Sequence, residues 1–353
     1  ITTERTIVNA TRDTSTEIQW QTDRFLLIVA GLILLLLFLV ISLSWYLARV
    51  ITKPVDVLRE GTTAIGHGDL DFRLTIRSGD EFETLAESFN QMAADLKENI
   101  ENLRRTTAEK ERFIKELEIA KEIQDSFLPE SVPQIRGFDI AATTIPALEI
   151  GGDLYDFITV AGTRTGIVIA DVSGKGVSAA LYMALSRTIL HACGSAEPEP
   201  SRAVKNANGL LYDDGRSGMF ITVFYGVLDP GRMTFEYVNA GHNPPLLLRN
   251  GEESVWMSGE KGIALGVIEQ VAIPATRLML RPGDILVLYT DGVTEAFNEQ
   301  EEYFGEDRLQ ACIEQNRALP AQGILDMLIR DIRAYTGSAP QSDDITVVVI
   351  RAT

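Results

Sequence analysis

Residues 283–295 read GDILVLYTDGVTE, in which an apolar run from Ile285 to Leu288 leads into Asp291 and Gly292. The run predicts a buried strand, and the Asp-Gly pair predicts a turn where the strand ends. A carboxylate at the end of a buried strand is costly to desolvate unless a positive charge meets it. The stretch therefore leaves two interpretations of Asp291 open, a turn residue and a ligand for a cation.

The same pattern recurs through the C-terminal part of the chain, where short apolar runs alternate with glycine-containing turns and with stretches of helical periodicity. Several predicted strands follow one another without a helix between them, which favours stacked sheets with helices on the outside over a doubly wound parallel sheet. The predicted strands are Gly166–Asp171, Phe220–Leu228, Thr234–Val238, Pro245–Leu248, Ile285–Tyr289 and Ile345–Ile350. The predicted helices are Ser178–Cys193, Arg202–Leu211, Glu306–Asn316 and Ala321–Tyr335.

Aspartates stand at the ends of several of these runs. One such aspartate is an ordinary turn signal, but several in one domain are better explained as convergent metal ligands, because neighbouring carboxylates repel one another unless cations neutralise them. The positions are Asp153 and Asp156 in GGDLYDF, Asp171 in GIVIADVSGKG, Asp291 in LVLYTDG, and Asp343 and Asp344 in SDDITVVVI. Oxygen ligands without histidine or cysteine indicate Mg²⁺ or Mn²⁺. Turn residues remain the alternative from spacing alone.

Composition excludes several other classes of protein. The net charge of −18 argues against nucleic acid as a partner. Cys193 and Cys312 are too few for a disulfide framework, and the histidines at positions 67, 191 and 242 are too far apart in sequence for a histidine-cysteine zinc site. Neither cysteine begins a Cys-x5-Arg motif, the SGKG segment is not a Walker A loop, and no G-x-S-x-G nucleophile elbow occurs.

Residues 25–48 carry no charge and are long enough to cross a bilayer as a helix. Arg49 and Lys53 follow directly, so the positive-inside rule weakly favours a cytoplasmic C-terminal side. We expect a transmembrane helix here, with residues 1–24 as the tail of an extracytoplasmic segment that starts upstream of Ile1. A buried core helix is the alternative, although core helices are rarely apolar on every side for this length.

Residues 49–99 show two stripes of apolar residues at heptad-like spacing, separated by an extended connector. Two short helices cannot bury such stripes alone, whereas a parallel dimer would bury them in a four-helix bundle. The segment resembles the HAMP signal-relay domain, including Pro54 in the first helix and SGDEFETLAESFNQM at the start of the second. An unrelated amphipathic stalk is the alternative. The stripes are Ile51, Val55, Leu58, Thr62 and Ile65, then Phe82, Leu85, Phe89, Met92, Leu96, Ile100 and Leu103.

The second stripe continues through residues 100–128, which we predict to be a coiled-coil linker helix. Thr107 and Lys110 are polar residues in the seam, the heptad positions at which the two helices of a coiled coil contact each other. The seam is therefore marginal in stability and suits a linker that changes register. A solvated spacer is the alternative. Near its end the apolar face shifts, and we expect the new face to pack on the domain that follows. Its members are Ile119, Ile123 and Phe127.

Seven segments along residues 119–351 resemble the SpoIIE/RsbU-like branch of metal-dependent serine/threonine protein phosphatases, the PPM or 2C-type superfamily. In order they read EIQDSFLP, EIGGDLYDF, IADVSGKGVSAALYMA, MFITVFYGVLD, YVNAGHNPPLLL, LYTDGVTEA and SDDITVVVI. The resemblance implies a four-layer α/β/β/α sandwich over residues 129–353 with two metal ions, Mn²⁺ or Mg²⁺, at one end. The expected fold is multi-domain: an all-α transmembrane helix, HAMP four-helix dimer and coiled-coil linker, then an α+β phosphatase domain.

The resemblance also implies roles for particular residues. Four catalytic aspartates and one backbone carbonyl would ligate the metal ions. The implied ligands are Asp153, Asp171, the carbonyl of Val172, Asp291 and Asp343. Asp344 and, with a less certain role, Asp156 would support these ligands from behind. Lys175 would contact phosphate, with a solvated turn lysine as the equal alternative.

Two departures from eukaryotic relatives leave roles unassigned. Those relatives carry a histidine after the metal-binding Asp-Gly, where this chain has Ser173, so the general acid is not identified. They also carry a phosphate-binding arginine before the first acidic motif, and ALEIGGD has none at that place. For Asn239 and His242 in NAGHN, a turn-forming role is favoured over a functional one.

The chemistry implied by the resemblance is attack of a metal-activated water on phosphoserine or phosphothreonine, without a phospho-enzyme. We expect a signalling phosphatase in contact with membrane lipid, homodimeric through the HAMP domain and coiled coil, with its catalytic domain in the cytoplasm. The EIQDSFLP helix is expected to pack beside the metal site and set its geometry. By resemblance, the substrate is a phosphorylated anti-sigma-factor antagonist. The alternative is a non-catalytic metal-binding transducer that docks a partner protein.

Overall fold

The structure is a computed structural model that describes residues 2–213, 218–257, 259 and 262–353. The chain divides into two compact units, Ile1–Glu111 and Arg112–Thr353. The first three helices are α1 (Thr2–Leu47), α2 (Lys53–Gly66) and α3 (Glu81–Phe127), with a π-helical turn at Ala48–Thr52.

Helix α1 contains the long apolar stretch. It is long and apolar enough to cross a membrane, and none of that stretch is buried within the chain. Side chains such as Leu27 and Phe38 are largely exposed. A helix that is apolar on every side and unburied by protein is typical of a lipid-facing segment. The predicted span, residues 25–48, lies almost wholly within this one helix.

Residues 49–99, the relay segment, have a small apolar core of their own. Leu74 from the extended connector is buried together with Ala86 and Phe89 from α3. The side chain of Asn90 fastens the connector to α3, because its Oδ1 accepts a hydrogen bond from the Leu74 amide at 2.8 Å and its Nδ2 donates to the Leu74 carbonyl at 2.9 Å. The α2 side chains packed against this core are Val57, Leu58 and Ile65.

The described residues of the C-terminal domain form ten strands in two antiparallel sheets. In chain order they are β1 (Phe138–Ile145), β2 (Leu154–Thr159), β3 (Thr165–Val172), β4 (Ile221–Asp229), β5 (Thr234–Ala240), β6 (Leu246–Leu248), β7 (Val255–Trp256), β8 (Thr276–Met279), β9 (Ile285–Tyr289) and β10 (Ile345–Ala352). The first sheet has the order β1-β10-β9-β6-β7, and the second has the order β2-β3-β4-β5-β8.

Helices cover the outer face of each sheet. Helices α4 and α5 pack on the second sheet, while α7 and α8 pack on the first. A short helix, α6, follows β9 directly. The bounds are α4 (Val177–Ala196), α5 (Pro200–Asp213), α6 (Asp291–Thr294), α7 (Gly305–Gln315) and α8 (Ala321–Thr336). This is the four-layer sandwich that the sequence predicted.

The continuous apolar runs follow from this layering. In β3, Ile167 and Ile169 point into the layer between the sheets, while Val168 and Ala170 point to the helices. Strands β9 and β10 divide their side chains in the same way between the central layer and the helix layer. Because both faces of each sheet are covered, the runs Ile167–Ala170, Ile285–Leu288 and Val347–Ile350 are apolar at successive positions rather than at alternate ones.

The predicted elements are confirmed to within a few residues, and four strands were not predicted. The missed strands are β1, β2, β7 and β8. Strand β2 reads LYDFIT, with an acidic residue at its third position, and β8 reads TRLM and is mostly exposed. Neither contains an uninterrupted apolar run, so periodicity alone did not reveal it.

The prediction for the end of α3 was wrong about which face packs. Ile119 and Ile123 are 58% and 56% exposed, and only Phe127 of that group is half-buried. Gln124 faces inward instead and is only 9% exposed. The physical reason is that its amide satisfies a backbone segment at the edge of the sandwich, whereas an isoleucine there would leave polar groups without partners. Leu128, just beyond the helix, packs on the α4–α5 core.

Candidate metal centre

Four strand ends meet at one edge of the sandwich. In the second sheet Leu154 of β2 pairs with Ala170 of β3, so Asp153 and Asp171 lie beside each other at the same end of these two strands. In the first sheet Val347 pairs with Tyr289, which brings the end of β9 beside the start of β10. Asp291 follows the former, and residues 343–344 precede the latter. The predicted site residues are thus gathered by strand register although they are far apart in sequence.

Hydrogen bonds join the two sheets at this edge. Thr290 Oγ1 donates to Asp153 Oδ2 at 2.7 Å and contacts the Asp344 carbonyl at 3.3 Å. The same Oγ1 accepts from the Thr346 amide at 3.0 Å. Thr290 is fully buried, so this hydroxyl holds the carboxylate of one sheet against the backbone of the other.

Asp344 is committed to the backbone of the Gly-Gly-Asp loop. Its Oδ2 accepts from the Gly152 amide at 2.6 Å and, more weakly, from the Asp153 amide at 3.4 Å. Its Oδ1 accepts from the Ala147 amide at 2.7 Å. Side-chain oxygens already bonded to three backbone N–H groups are well placed to fix the loop, and less free to ligate a metal ion.

Three glycines permit the close approach of these segments. A Cβ at Gly292 would overlap the Asp344 carbonyl, and one at Gly151 would crowd the Asp344 carboxylate. A Cβ at Gly152 would stand 3.3 Å from the Val172 carbonyl oxygen. Gly152 and Gly292 therefore allow backbone to pack against backbone, and Gly151 leaves room for the Asp344 carboxylate. This packing places the Val172 carbonyl beside the loop that carries Asp153.

The clustered carboxylates raise one another's pKa. Burial and the nearby charges of Asp291 and Asp343 raise the pKa of Asp171 to about 7. Burial and the charge of Asp171 raise the pKa of Asp153 well above its ordinary value, although the hydroxyls of the two neighbouring threonines oppose this. Burial, Glu295 and Asp343 raise the pKa of Asp291. The fold thus holds negative charges together at a cost that a cation would remove.

Lys175 is the cation that meets this cluster. Its Nζ lies 2.8 Å from Asp343 Oδ2 and donates to the Ser342 carbonyl at 2.5 Å. Hydrogen bonding and the charge of Asp343 raise the pKa of this lysine. Since the lysine side chain is half-exposed, the contact is screened by water and is open to exchange for another ligand.

Asp156 is placed differently from the other predicted residues. Its carboxylate is nearly fully buried and forms a two-point ion pair with Arg187, with Nε at 2.9 Å and Nη2 at 3.2 Å. His191 Nδ1 lies 2.7 Å from the same carboxylate. Both partners come from α4, so Asp156 fastens β2 to that helix.

Asn239 and His242 form a closed turn. Asn239 Nδ2 donates to the His242 carbonyl at 3.0 Å, and the His242 amide donates to Asn239 Oδ1 at 2.8 Å. His242 Nδ1 lies 2.9 Å from Thr222 Oγ1. The paired hydrogen bonds between Asn239 and His242 close a turn, as expected for a turn-forming role of these two residues.

The donor set fits a hard divalent cation. Carboxylates and a backbone carbonyl at one edge of the sandwich are oxygen ligands of the kind that Mg²⁺ and Mn²⁺ prefer. Within the described part of the chain, no three acidic, histidine or cysteine side chains already stand in a metal-ligand arrangement. Strand register brings the four aspartates to one edge, and there they do not form a ligand set.

Two residues of this edge were not singled out from sequence. For Thr290 in the YTDG segment, the sequence indicates only a position in the turn. Gln124 lies in EIQDSFLP, and its signal was its position exactly one heptad after Leu117 as a polar residue on the linker stripe. Neither position could be tied to the aspartates without knowing which strands are neighbours.

Known proteins resemble both parts of the chain. The SpoIIE family, described as Stage II sporulation protein E, matches residues 161–353, and the HAMP domain matches residues 46–98. Protein IcfG of Synechocystis is 30% identical over 345 residues, covering 87% of this chain and 52% of that protein. Phosphoserine phosphatase RsbU of Bacillus subtilis is 32% identical over 242 residues, covering 67% of this chain and 70% of that protein.

A solved structure agrees with the fold. The SiaA PP2C domain of Pseudomonas aeruginosa superposes with a TM-score of 0.61 at 22% identity, covering 69% of this chain and 98% of that domain. The C-terminal domain therefore has the same fold as that PP2C domain. The chain belongs to the SpoIIE family and carries a HAMP domain. It spans about half the length of IcfG.

Proposed function

We propose that this chain is a membrane-anchored phosphatase that hydrolyses phosphoserine or phosphothreonine on a protein substrate. The observation that carries the proposal is the convergence of Asp153, Asp171, Asp291 and Asp343 at one edge of a PP2C-type sandwich. Burial and the repulsion of nearby carboxylates raise the pKa of the first three. RsbU, a relative that matches 67% of this chain, is named a phosphoserine phosphatase.

In this proposal the four aspartates and the Val172 carbonyl hold two divalent ions, Mn²⁺ or Mg²⁺. When bound, such ions supply a water of lowered pKa and neutralise charge on the phosphoryl oxygens. The chain's own contribution is positioning. The Thr290 hydroxyl orients Asp153, and Asp344 fixes the loop on which Asp153 stands.

Lys175 is the residue we assign to the substrate phosphate. Its ammonium group already lies at the carboxylate edge, on a side chain that is half-exposed. An anionic phosphoryl group entering this edge would offer the ammonium a new partner once cations neutralise Asp343. The same geometry lets Lys175 neutralise part of the negative charge of the carboxylates before the substrate binds.

The N-terminal unit supports a regulatory function. An apolar helix, a HAMP domain and a long continuous helix precede the catalytic domain. We propose that the chain dimerises through HAMP and the α3 coiled coil, with the catalytic domain on the cytoplasmic side. The proposed substrate is a phosphorylated anti-sigma-factor antagonist, which rests on the family resemblance alone.

Two substitutions test the metal-dependent activity. In the full chain in detergent, Asp171→Asn and Asp291→Asn should each lower Mn²⁺-dependent hydrolysis of a phosphoserine peptide by roughly 100-fold or more. Folding should be intact, because removing a repelled carboxylate does not destabilise the metal-free domain. Asp307→Asn, an exposed aspartate on α7, is the matched control and should keep full activity.

Full activity in either site variant would overturn the ligand assignment. A wild-type chain that binds Mn²⁺ but hydrolyses no phosphoserine peptide or phosphoprotein would favour the non-catalytic transducer instead. Comparing cellular phosphoproteins with and without Asp171→Asn would then identify the substrate, which should accumulate in its phosphorylated form in the variant.

A further inference from the structure

The side chain of Gln124 makes a two-point contact with one residue of the metal-site loop. Its Nε2 donates to the Gly151 carbonyl at 2.6 Å, and its Oε1 accepts from the Gly151 amide at 3.1 Å. Gln124 is 9% exposed, although its neighbours Ile123 and Asp125 on the helix are exposed. The linker helix therefore reaches the catalytic edge through one amide group.

This contact matters because of where Gly151 stands. Gly151 and Gly152 directly precede Asp153, and two successive glycines give the backbone more freedom than any other pair. Asp344 holds the Gly152 amide from one side, and Gln124 holds Gly151 from the other. Without Gln124, the buried N–H and C=O of Gly151 would both lose these hydrogen-bond partners, and the loop would lose one of its two fixed points.

The helix face that carries Gln124 is the seam face of the linker. Leu117 lies seven residues earlier, and positions one heptad apart share a face to within about 20°. Ile119 and Ile123 point elsewhere and are exposed. Turning the helix by one residue, about 100°, would replace the amide at Gly151 with a neighbouring side chain that cannot form both bonds.

We propose that Gln124 is a positioning residue, which fixes the Gly151–Asp153 loop and makes the orientation of Asp153 depend on the rotation of α3. The inference rests on the proposed metal site, since its consequence is a change in metal affinity. It assigns to one side chain the coupling between the linker helix and the catalytic edge.

The test uses the full chain in detergent, with Mn²⁺ as the probe. Gln124→Ala should weaken Mn²⁺ binding, measured by calorimetric titration, by about 10-fold or more, as expected for a residue that supports a ligand. In the metal-free chain, hydrogen–deuterium exchange at the Gly151 amide should speed up at least several-fold. Glu122→Ala changes an exposed residue two positions earlier; it is the matched control and should change neither quantity.

Gln124→Glu separates the two hydrogen bonds. It keeps an acceptor for the Gly151 amide but has no donor for the carbonyl, so exchange at that amide should stay slow while Mn²⁺ binding weakens. A residue that only stabilises the fold would instead change the melting temperature of the metal-free domain in proportion to the loss of binding.

Exchange and Mn²⁺ affinity within twofold of wild type in Gln124→Ala would overturn the inference. Failure of the proposed function looks different. A wild-type chain that binds no Mn²⁺ would refute the metal site, while the exchange rate of the Gly151 amide would still decide whether Gln124 fixes the loop.

Discussion

At the scale of single residues, Asp171 shows how the site stores unfavourable charge. Its pKa is raised from 3.8 to about 7 by burial and by the carboxylates of Asp291 and Asp343. The folded chain therefore binds a proton at this group more tightly than the unfolded chain does. The stability that the protonated form contributes is present at low pH and is lost as the pH rises through about 7.

This sign predicts the pH dependence of metal-free stability. Without divalent ions, the melting temperature of the catalytic domain should fall as the pH is raised from about 5 to about 8. Saturating Mn²⁺ should reduce or reverse the fall, since cations replace the protons. Differential scanning calorimetry of the full chain measures both curves. Asp171→Asn should flatten the metal-free curve, and an unchanged slope in that variant would contradict this account.

At the scale of elements, α3 presents two different faces. Seam positions such as Leu103 and Ile114 are exposed in the single chain, at 68% and 40%, as expected of side chains that pair with a second copy. Thr107 interrupts this seam, and its hydroxyl donates to the Leu103 carbonyl at 2.8 Å. One heptad after Leu117, the seam position is held by Gln124, whose side-chain amide bonds to the backbone of Gly151.

Filling the seam should remove the linker's capacity to change register. The double substitution Thr107→Leu and Lys110→Leu should stabilise a paired helix by about 1.5–3 kcal/mol for each buried leucine. Phosphatase activity of the full chain in cells should then stay at one level, high or low, whether or not the stimulus is present. Thermal melting followed by circular dichroism measures the helix stability.

The matched control places the same leucines off the seam. Thr106→Leu with Glu111→Leu changes two exposed neighbours on the same helix and should leave regulation by the stimulus intact. If the seam variant responds to the stimulus as the wild type does, α3 does not act through a change of register.

At the scale of the whole molecule, the chain consists of two units with separate cores. The relay core is small and holds Leu74, Ala86 and Phe89, whereas the sandwich has three extensive apolar layers. Ligands stabilise only the unit that binds them. The divalent ions proposed here would bind the second unit alone.

Calorimetry of the full chain should therefore resolve two unfolding transitions. Saturating Mn²⁺ should raise the temperature of one transition by several degrees, as about 2–4 kcal/mol of binding free energy would, and leave the other unmoved. Asp291→Asn should abolish most of that shift. A single transition, or an equal shift of both, would show that the two units unfold together.

Much of this architecture followed from local pattern. The runs at Ile285–Tyr289 and Ile345–Ile350 were predicted as buried strands, and the helices of the catalytic domain were placed to within a few residues. Strand β2 was missed, because a buried acidic residue, Asp156, interrupts its apolar pattern. The inward face of α3 was predicted wrongly for the opposite reason, since exposed isoleucines gave the stronger apolar signal.

Local sequence pattern was enough to identify which segments are buried on both faces and which aspartates end them, because apolar periodicity reports how a strand or helix divides between core and solvent. The hydrogen-bond and ion-pair partners of the polar side chains follow only from the folded structure. It paired Asp156 with Arg187, turned Asp344 toward the Gly152 amide, and brought Gln124 to Gly151. Those partners lie on chain segments that become neighbours through sheet register and layer packing, which no local spacing encodes.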